Sequence, residues 1–259
     1  MKKIYQLCFA VVSFWSFAQD YAVASIPENL LVNANAVIRE HSEDYILKSV
    51  NEMTVKETHV VTIMSAAGDR YSTIYIPYNP TTKVNDIKVE MLDGAGKVIK
   101  TFAKKDFSDY TNNPSAGLYT DDRILVLRTI STKYPFTLKT SYETSTSNTI
   151  YLSSFSPMNS YNVALEKTNL SITNNSGITV RTKTNNKPLG KVSESKDGNV
   201  WKYSYQNIPA INHEDLSPSL DYLIPNVEFS PEKFSLAGKQ GDLTDWNSFG
   251  KWYFNDLIN

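Results

Sequence analysis

The sequence predicts an all-β protein, an antiparallel β-sandwich, on three observations. Apolar and polar residues alternate with a period of two in segment after segment, turn-forming residues separate those segments at short spacing, and helical periodicity is almost absent. Tyrosine is frequent, 16 of 259 residues, and Thr, Ser and Asn are abundant, a composition suited to half-exposed pleated surfaces and the turns between them.

Taken in order, the chain opens with a leader. Lys2 and Lys3 form a positive start, Ile4 to Phe17 an apolar run, and Ser16-Phe17-Ala18 a small-residue cleavage site before Gln19, so residues 1–18 read as a removable signal peptide. The apolar run is shorter than the roughly 20 residues a bilayer span needs, and no later segment is long and apolar enough to span. An exported protein, periplasmic or extracellular, is the expectation. The single cysteine, Cys8, lies inside the leader, which leaves residues 19–259 without a thiol. A cysteine nucleophile, a disulfide framework and cysteine-ligated zinc are thereby excluded from those residues.

Pro27 to Asn35 reads as one short helix with Pro27 in its first turn. From Val55 to Met64, residues Val55, Glu57, His59, Val61 and Ile63 share one face of a long strand. Tyr71 to Tyr78 and Asn85 to Met91 follow, and Asp93-Gly94-Ala95-Gly96 turns the chain into Lys97 to Phe102, because glycine supplies the positive φ a tight hairpin requires. Further strands are expected at Arg123 to Ile130, Phe136 to Thr144, Ala164 to Thr173 and Ile178 to Thr184. A second hairpin joins Gly190 to Glu194 with Asn199 to Gln206 through Lys196-Asp197-Gly198 and places Trp201, Tyr203 and Tyr205 on one face.

After Gln206 the texture changes. Pro209, Pro218, Pro225 and Pro231 predict an extended wrapping linker over 208–243, following a sandwich domain over 19–207. Residues 244–259 then predict the one convincing amphipathic helix: Thr244 caps it, Asp245 suits the positive end of its dipole, and Trp246, Phe249, Tyr253 and Leu257 form an apolar stripe. A helix this short is marginal alone in water, so the stripe is expected to dock, and the segment reads as the first helix of a further domain or the connector to it.

The chemistry-bearing residues form no catalytic constellation. His41, His59 and His213 are far apart in sequence, lack metal-ligand spacing, and read as ordinary surface or core histidines. Glu40, Glu43 and Asp44, like Asp106 and Asp109, read as solvated loop carboxylates and not as a glycosidase pair. Asp121-Asp122-Arg123 reads as a strand-entry turn with a local salt bridge. For Trp201, Tyr203 and Tyr205, sandwich core is preferred to a surface that stacks on sugars or peptide side chains. With Trp246, Phe249 and Tyr253 they make up the candidate interaction surface. The 26 basic and 27 acidic side chains, with Lys2 and Lys3 lost on cleavage, give no electrostatic reason to bind nucleic acid. No cofactor or metal is expected.

The leader, the segment Leu118-Tyr119-Thr120-Asp121-Asp122-Arg123, Glu214-Asp215-Leu216-Ser217-Pro218 and the closing Trp246-Asn247-Ser248-Phe249-Gly250-Lys251-Trp252 together resemble the domain of unknown function 3857 family. Members of that family commonly precede a transglutaminase-like domain in exported proteins of Gram-negative bacteria. The resemblance covers nearly the whole chain after the leader. It implies a noncatalytic β-sandwich followed by a domain with a papain-like Cys-His-Asp site. No residue of that site can be carried onto residues 19–259, which hold no Cys. The expectation is therefore a fragment without enzyme activity of its own, with the adjacent transglutaminase-like domain as partner and peptide or glycan of the cell envelope as further ligand. The alternative is a self-sufficient cell-envelope sandwich that binds carbohydrate or protein. An enzyme built on carboxylates within this chain ranks last.

Overall fold

A computed structural model describes residues 21–112, 121–131, 133–152, 154–158 and 160–258. The leader, Leu118 to Thr120 and Asn259 lie outside the described residues. Strands take 53% and helices 15%, so the chain is all-β.

A short 3-10 turn (Val23–Ser25) leads to the one-turn helix α1 (Glu28–Leu31), with Pro27 at its N-cap. The strands follow as β1 (Ala36–Ser49), β2 (Glu52–Ile63), β3 (Thr73–Tyr78), β4 (Thr82–Leu92) and β5 (Val98–Ala103). Next come β6 (Ser108–Thr111), β7 (Arg123–Arg128), β8 (Phe136–Thr146), β9 (Val163–Asn174) and β10 (Val180–Asn185). The series ends with β11 (Ser193–Asp197), β12 (Val200–Ile208), β13 (Asn226–Pro231), β14 (Lys233–Leu236) and β15 (Lys239–Asp242). Helix α2 (Trp246–Trp252) continues as a π-helical turn over Tyr253–Ile258.

One large sheet organises the molecule, in the order β11-β12-β9-β1-β2-β8-β4-β5. Its pairs are antiparallel except for β1 and β9, which run parallel at its centre. A second layer, made of the three-stranded sheet β3-β7-β6 and the pair β10-β13, covers one face. Ile76, Leu125 and Leu127 seal that layer against Val84 and Val89, while Val180 and Val227 close on Leu170, Ile172 and Tyr203. The opposite face is partly covered by the N-terminal segment, where Ile26 and Leu30 pack on Val37 and Ala164.

The hairpin at Asp93 forms as its sequence predicts. Gly96 takes the positive φ of 81°, and the Asp93 carboxylate accepts from the backbone N–H groups of Ala95 and Lys97, each at 3.0 Å.

Strand β1 carries no clean period-two signal, and the cause is a bulge. The register slips between Ile38 and Glu40, leaving Arg39 as an extra residue. Ala36 and Ile38 face the covered side before the bulge; His41, Glu43, Tyr45 and Leu47 face it afterwards, so the alternation changes phase mid-strand. Arg39 itself is 2% exposed on the other face, with Nε 2.5 Å from Glu166 Oε2 and Nη2 donating to Ser25 Oγ at 2.8 Å. It pins the N-terminal segment to the sheet.

The proline-rich stretch is more than the expected linker. Leu220 and Ile224 seal one end of the main core, and β13 pairs antiparallel with β10 from Val180–Pro231 to Asn185–Asn226. Pro225 precedes β13 and Pro231 closes it, so neither ring interrupts the middle of a ladder.

Candidate functional site

The β1–β2 hairpin folds at Val50 and Asn51 and sets His41 opposite His59 and Glu43 opposite Glu57. On β8, Thr140 pairs with His59 and Tyr142 with Glu57; on β9, Thr168 pairs with His41. Paired residues share a face, so a polar row crosses the covered side of the sheet. Apolar clusters lie on either side of it, one holding Ile38, Val61 and Leu138, the other Tyr45, Met53 and Leu170.

The row is hydrogen-bonded. His41 Nε2 lies 3.2 Å from Glu43 Oε1 and 3.8 Å from Glu57 Oε1. Tyr45 donates its hydroxyl to Glu43 Oε2 at 2.9 Å, and Tyr142 donates to Glu57 Oε2. Burial by itself would lower the His41 pKa, but hydrogen bonding and attraction from Glu43 and Glu57 outweigh it and raise the value to about 9. Burial likewise works to raise Glu43, and the His41 imidazolium overrides it, holding that carboxyl below its ordinary range. His59 is pushed down to about 3 by burial and then by the His41 charge, so its ring is neutral. Burial first, then the Glu57 charge and hydrogen bond, raise Tyr142 and keep it protonated.

Glu43 is therefore a half-buried strand residue and not a solvated loop carboxylate, and the two histidines are neighbours. Sequence distance hid this. The signal was the hairpin turn, which implies the pairing once β1 is recognised as a strand. Among the described residues no group of three or more His, Cys, Asp or Glu is arranged to hold a metal ion.

Tyr203 and Tyr205 are each 4% exposed and belong to the core, which removes them from the candidate interaction surface. Trp201 is half-buried at the margin of that core, with Lys196 Nζ 4.5 Å from its ring centroid. Arg123 pairs with Asp109 at 3.0 Å across strands β6 and β7, so its salt bridge reaches across the sheet and not to Asp121 or Asp122.

The C-terminal helix begins one residue later than its sequence suggests. Asp245 is the N-cap, its carboxylate accepting from Ser248 N–H at 2.7 Å, a bond that also lowers its pKa. The docking residue is Trp252, 6% exposed and edge-on to Phe234 at 4.7 Å between ring centroids. Gly241 makes room for this seat, since a Cβ there would stand 2.3 Å from Phe234 Cζ. The expected stripe is left outside: Trp246 is 86% and Tyr253 48% exposed, with Phe249 stacked on Trp252 at 5.8 Å between centroids. Phe254, Leu257 and Ile258 extend the exposed apolar surface. Beside it lies a groove of about 600 Å³ lined by Ile150, Arg181, Leu243, Asp245, Trp246 and Phe249.

These features define an all-β, two-layer sandwich with an internal polar row and an aromatic helix at one end. The chain belongs to DUF3857, a domain of unknown function family with a solved structure, whose profile matches residues 50–212. Within that span fall β2 to β12, while β1 and α2 lie outside; so do the Glu214–Pro218 and Trp246–Trp252 segments on which the resemblance partly stood. No curated protein matches the chain. The crystal structure of a protein described as a putative protease from Parabacteroides distasonis superposes with a TM-score of 0.61 at 16% identity, over 76% of this chain and 40% of that one. That is a likeness of fold, and the chain spans about two fifths of that protein's length. A nutrient binding protein of Legionella pneumophila, also described as putative, matches with a TM-score of 0.28 at 11% identity over 75% and 67% of the two chains. An M1 zinc metallopeptidase of Deinococcus radiodurans matches with a TM-score of 0.29 at 7% identity over 80% and 46%. No helix among the described residues is long and apolar enough to cross a membrane.

Proposed function

We propose that residues 19–259 form the noncatalytic module of an exported transglutaminase-like protein, holding a catalytic domain against the aromatic face of α2. The observation that carries this reading is the exposure of Trp246 and Tyr253 on a helix anchored through Trp252. A contiguous aromatic patch on an anchored helix is costly to leave in water and marks an interaction surface. The fold likeness to two fifths of a protein described as a putative protease supports a modular arrangement, and the absence of Cys after Cys8 agrees with a thiol nucleophile carried by a separate catalytic domain.

The test compares residues 19–259 with the parent reading frame. Peptidase or acyl-transfer activity belongs to the parent and falls when Trp246, Phe249 and Tyr253 are replaced by Ser. Turnover by residues 19–259 unaided, or a parent indifferent to the triple replacement, overturns the proposal.

A second reading, a self-sufficient carbohydrate-binding sandwich, draws on the exposed Trp246 beside the groove of about 600 Å³. Saturable binding of a cell-envelope glycan, abolished by Trp246→Ser in the isolated chain, would favour it over the domain-docking reading.

A further inference from the structure

The polar row is open to a cavity that none of the preceding functional reading uses. Between the sheet and its cover, a space of about 400 Å³ is bounded by Glu57, His59, Tyr71, Tyr75, Thr140 and Tyr142, with Val61, Ile74 and Leu138 supplying apolar wall. A smaller space of about 180 Å³ shares Glu57, His59 and Tyr71 with it and is also lined by His41. Both spaces therefore meet the same carboxylate and the same imidazole.

The row itself is rich in acceptors. Glu43 and Glu57 supply two negative charges and His41 one positive charge, so the row carries a surplus carboxylate. Glu57 is 28% exposed; one oxygen takes the Tyr142 hydroxyl, while the other, 3.8 Å from His41 Nε2, keeps lone-pair capacity to accept a further donor. Neutral His59 makes no hydrogen bond among the described residues and has an acceptor nitrogen to offer, and the Thr140 hydroxyl offers an acceptor oxygen. Tyr71, Tyr75 and Tyr142 also line the space, and aromatic rings attract cations. Arg70 also lines the space, but it is exposed and its guanidinium is turned to Tyr71, 5.0 Å from the ring centroid and bonded to the Tyr71 hydroxyl at 3.2 Å. It forms no ion pair among the described residues.

A primary ammonium has three N–H donors and no acceptor. We infer that the cavity over Glu57 and His59 binds a primary alkylammonium group, the ammonium at the Glu57 carboxylate and its alkyl stem along Val61, Ile74 and Leu138. A lysine side chain of a peptide and a free alkylamine share this chemistry. The inference stands apart from the α2 surface, so either reading can fail without the other.

The test is NMR of the intact chain with labelled histidine near neutral pH, using n-butylammonium chloride, cadaverine and the capped tripeptide acetyl-Gly-Lys-Gly-amide as probes. The expected result is a saturable shift of the His59 and His41 ring signals with His213 unmoved, and no saturable response to sodium butyrate or to the norleucine tripeptide. Stronger binding of the tripeptide than of the free amines identifies the peptide side chain as the source, and the reverse order identifies a free amine. Glu57→Gln should weaken binding about tenfold or more, the factor expected for losing a charge-assisted hydrogen bond. Thr73→Arg, which adds a positive charge and bulk at a lining position of the cover and leaves the row's own residues unsubstituted, should do the same and serves if Glu57→Gln does not fold. Absence of saturable shifts with every ammonium probe, butyrate binding as well as butylammonium, or full binding in folded Glu57→Gln or Thr73→Arg protein would each overturn the inference.

Discussion

His41 and His59 meet edge to face, with ring centroids 5.1 Å apart at an interplanar angle of 69°, and the structure holds them in opposite charge states. The asymmetry comes from burial and partners together. His41 reaches two carboxylates that outweigh its burial and keeps its proton; His59 is buried, with only the His41 charge beside it, and loses its own. Two imidazoles in one row are thus made into a cation and a neutral acceptor by position alone.

The first prediction is a split titration. Followed by NMR, the His41 ring should titrate at about 9 and the His59 ring at about 3, with His213 as the third signal in the spectrum. Two histidine signals titrating together near the ordinary value of 6.5 would show that the row does not discriminate between them.

Stability should follow the same split. The raised His41 pKa gives a contribution that is complete below its ordinary value of 6.5 and is lost as pH rises through about 9. His59 acts in the other direction: below 6.5 the unfolded chain takes up a proton that the folded ring refuses until about 3, so stability falls as pH drops across that window. Glu43, depressed in the fold, adds a contribution present above its ordinary 4.5 and lost on further acidification. Urea midpoints should therefore peak near neutrality. His59→Asn should flatten the acid limb and His41→Gln the alkaline limb.

Arg39→Met should destabilise the sandwich by about 3 kcal/mol, because it strands Glu166 and removes the tie to the N-terminal segment. Glu166 keeps 29% exposure, which moderates the cost relative to a fully buried pair. Denaturant unfolding measures the total. Proteolysis supplies the local readout: cleavage within residues 21–31 should accelerate more than cleavage elsewhere.

Which parts of this architecture were legible follows from how each strand is buried. Strand β2 presents an unbroken inner row from Met53 to Ile63, and β4–β5 carries its turn in Asp93 and Gly96, so both can be read directly. In β1 the bulge at Arg39 shifts the phase and the inner face mixes His41 and Glu43 with Tyr45 and Leu47, so no single template fits. Strand β13 lies between two prolines that argue against sheet, yet it needs only β10 as partner. The polar row was the hardest feature to anticipate. It exists only after pairing, since nothing local distinguishes a histidine opposite another histidine from one facing solvent. In α2 the apolar stripe Trp246, Phe249, Tyr253 and Leu257 is the face expected to dock, but the one-residue shift of the cap and the Phe234 seat make Trp252 the buried side chain.

The last prediction separates the anchor of α2 from its exposed face. Trp252→Ala empties the seat on Phe234 and should cost about 3 kcal/mol, toward the low end for a buried aromatic because the site lies at the periphery. Trp252→Phe should cost less than about 1.5 kcal/mol, since the ring contact survives and the buried Nε1–H, which has no partner, disappears with the indole. Trp246→Ser, at 86% exposure, should stay within about 0.5 kcal/mol of the parent. The loss in Trp252→Ala should also spread beyond the helix. Phe234 is 0% exposed under the indole, and β14 and the residue after it are tied to the segment that follows β8 through Thr149 N–H to the Ser235 carbonyl at 3.0 Å and Ala237 N–H to Asn148 Oδ1 at 2.8 Å. Hydrogen exchange should therefore accelerate at Phe234 to Ala237 as well as in α2. Unchanged protection across β14 in Trp252→Ala would mean that the helix hangs free of this core, and the exposed aromatic face would then no longer be held in a fixed place for a partner to find.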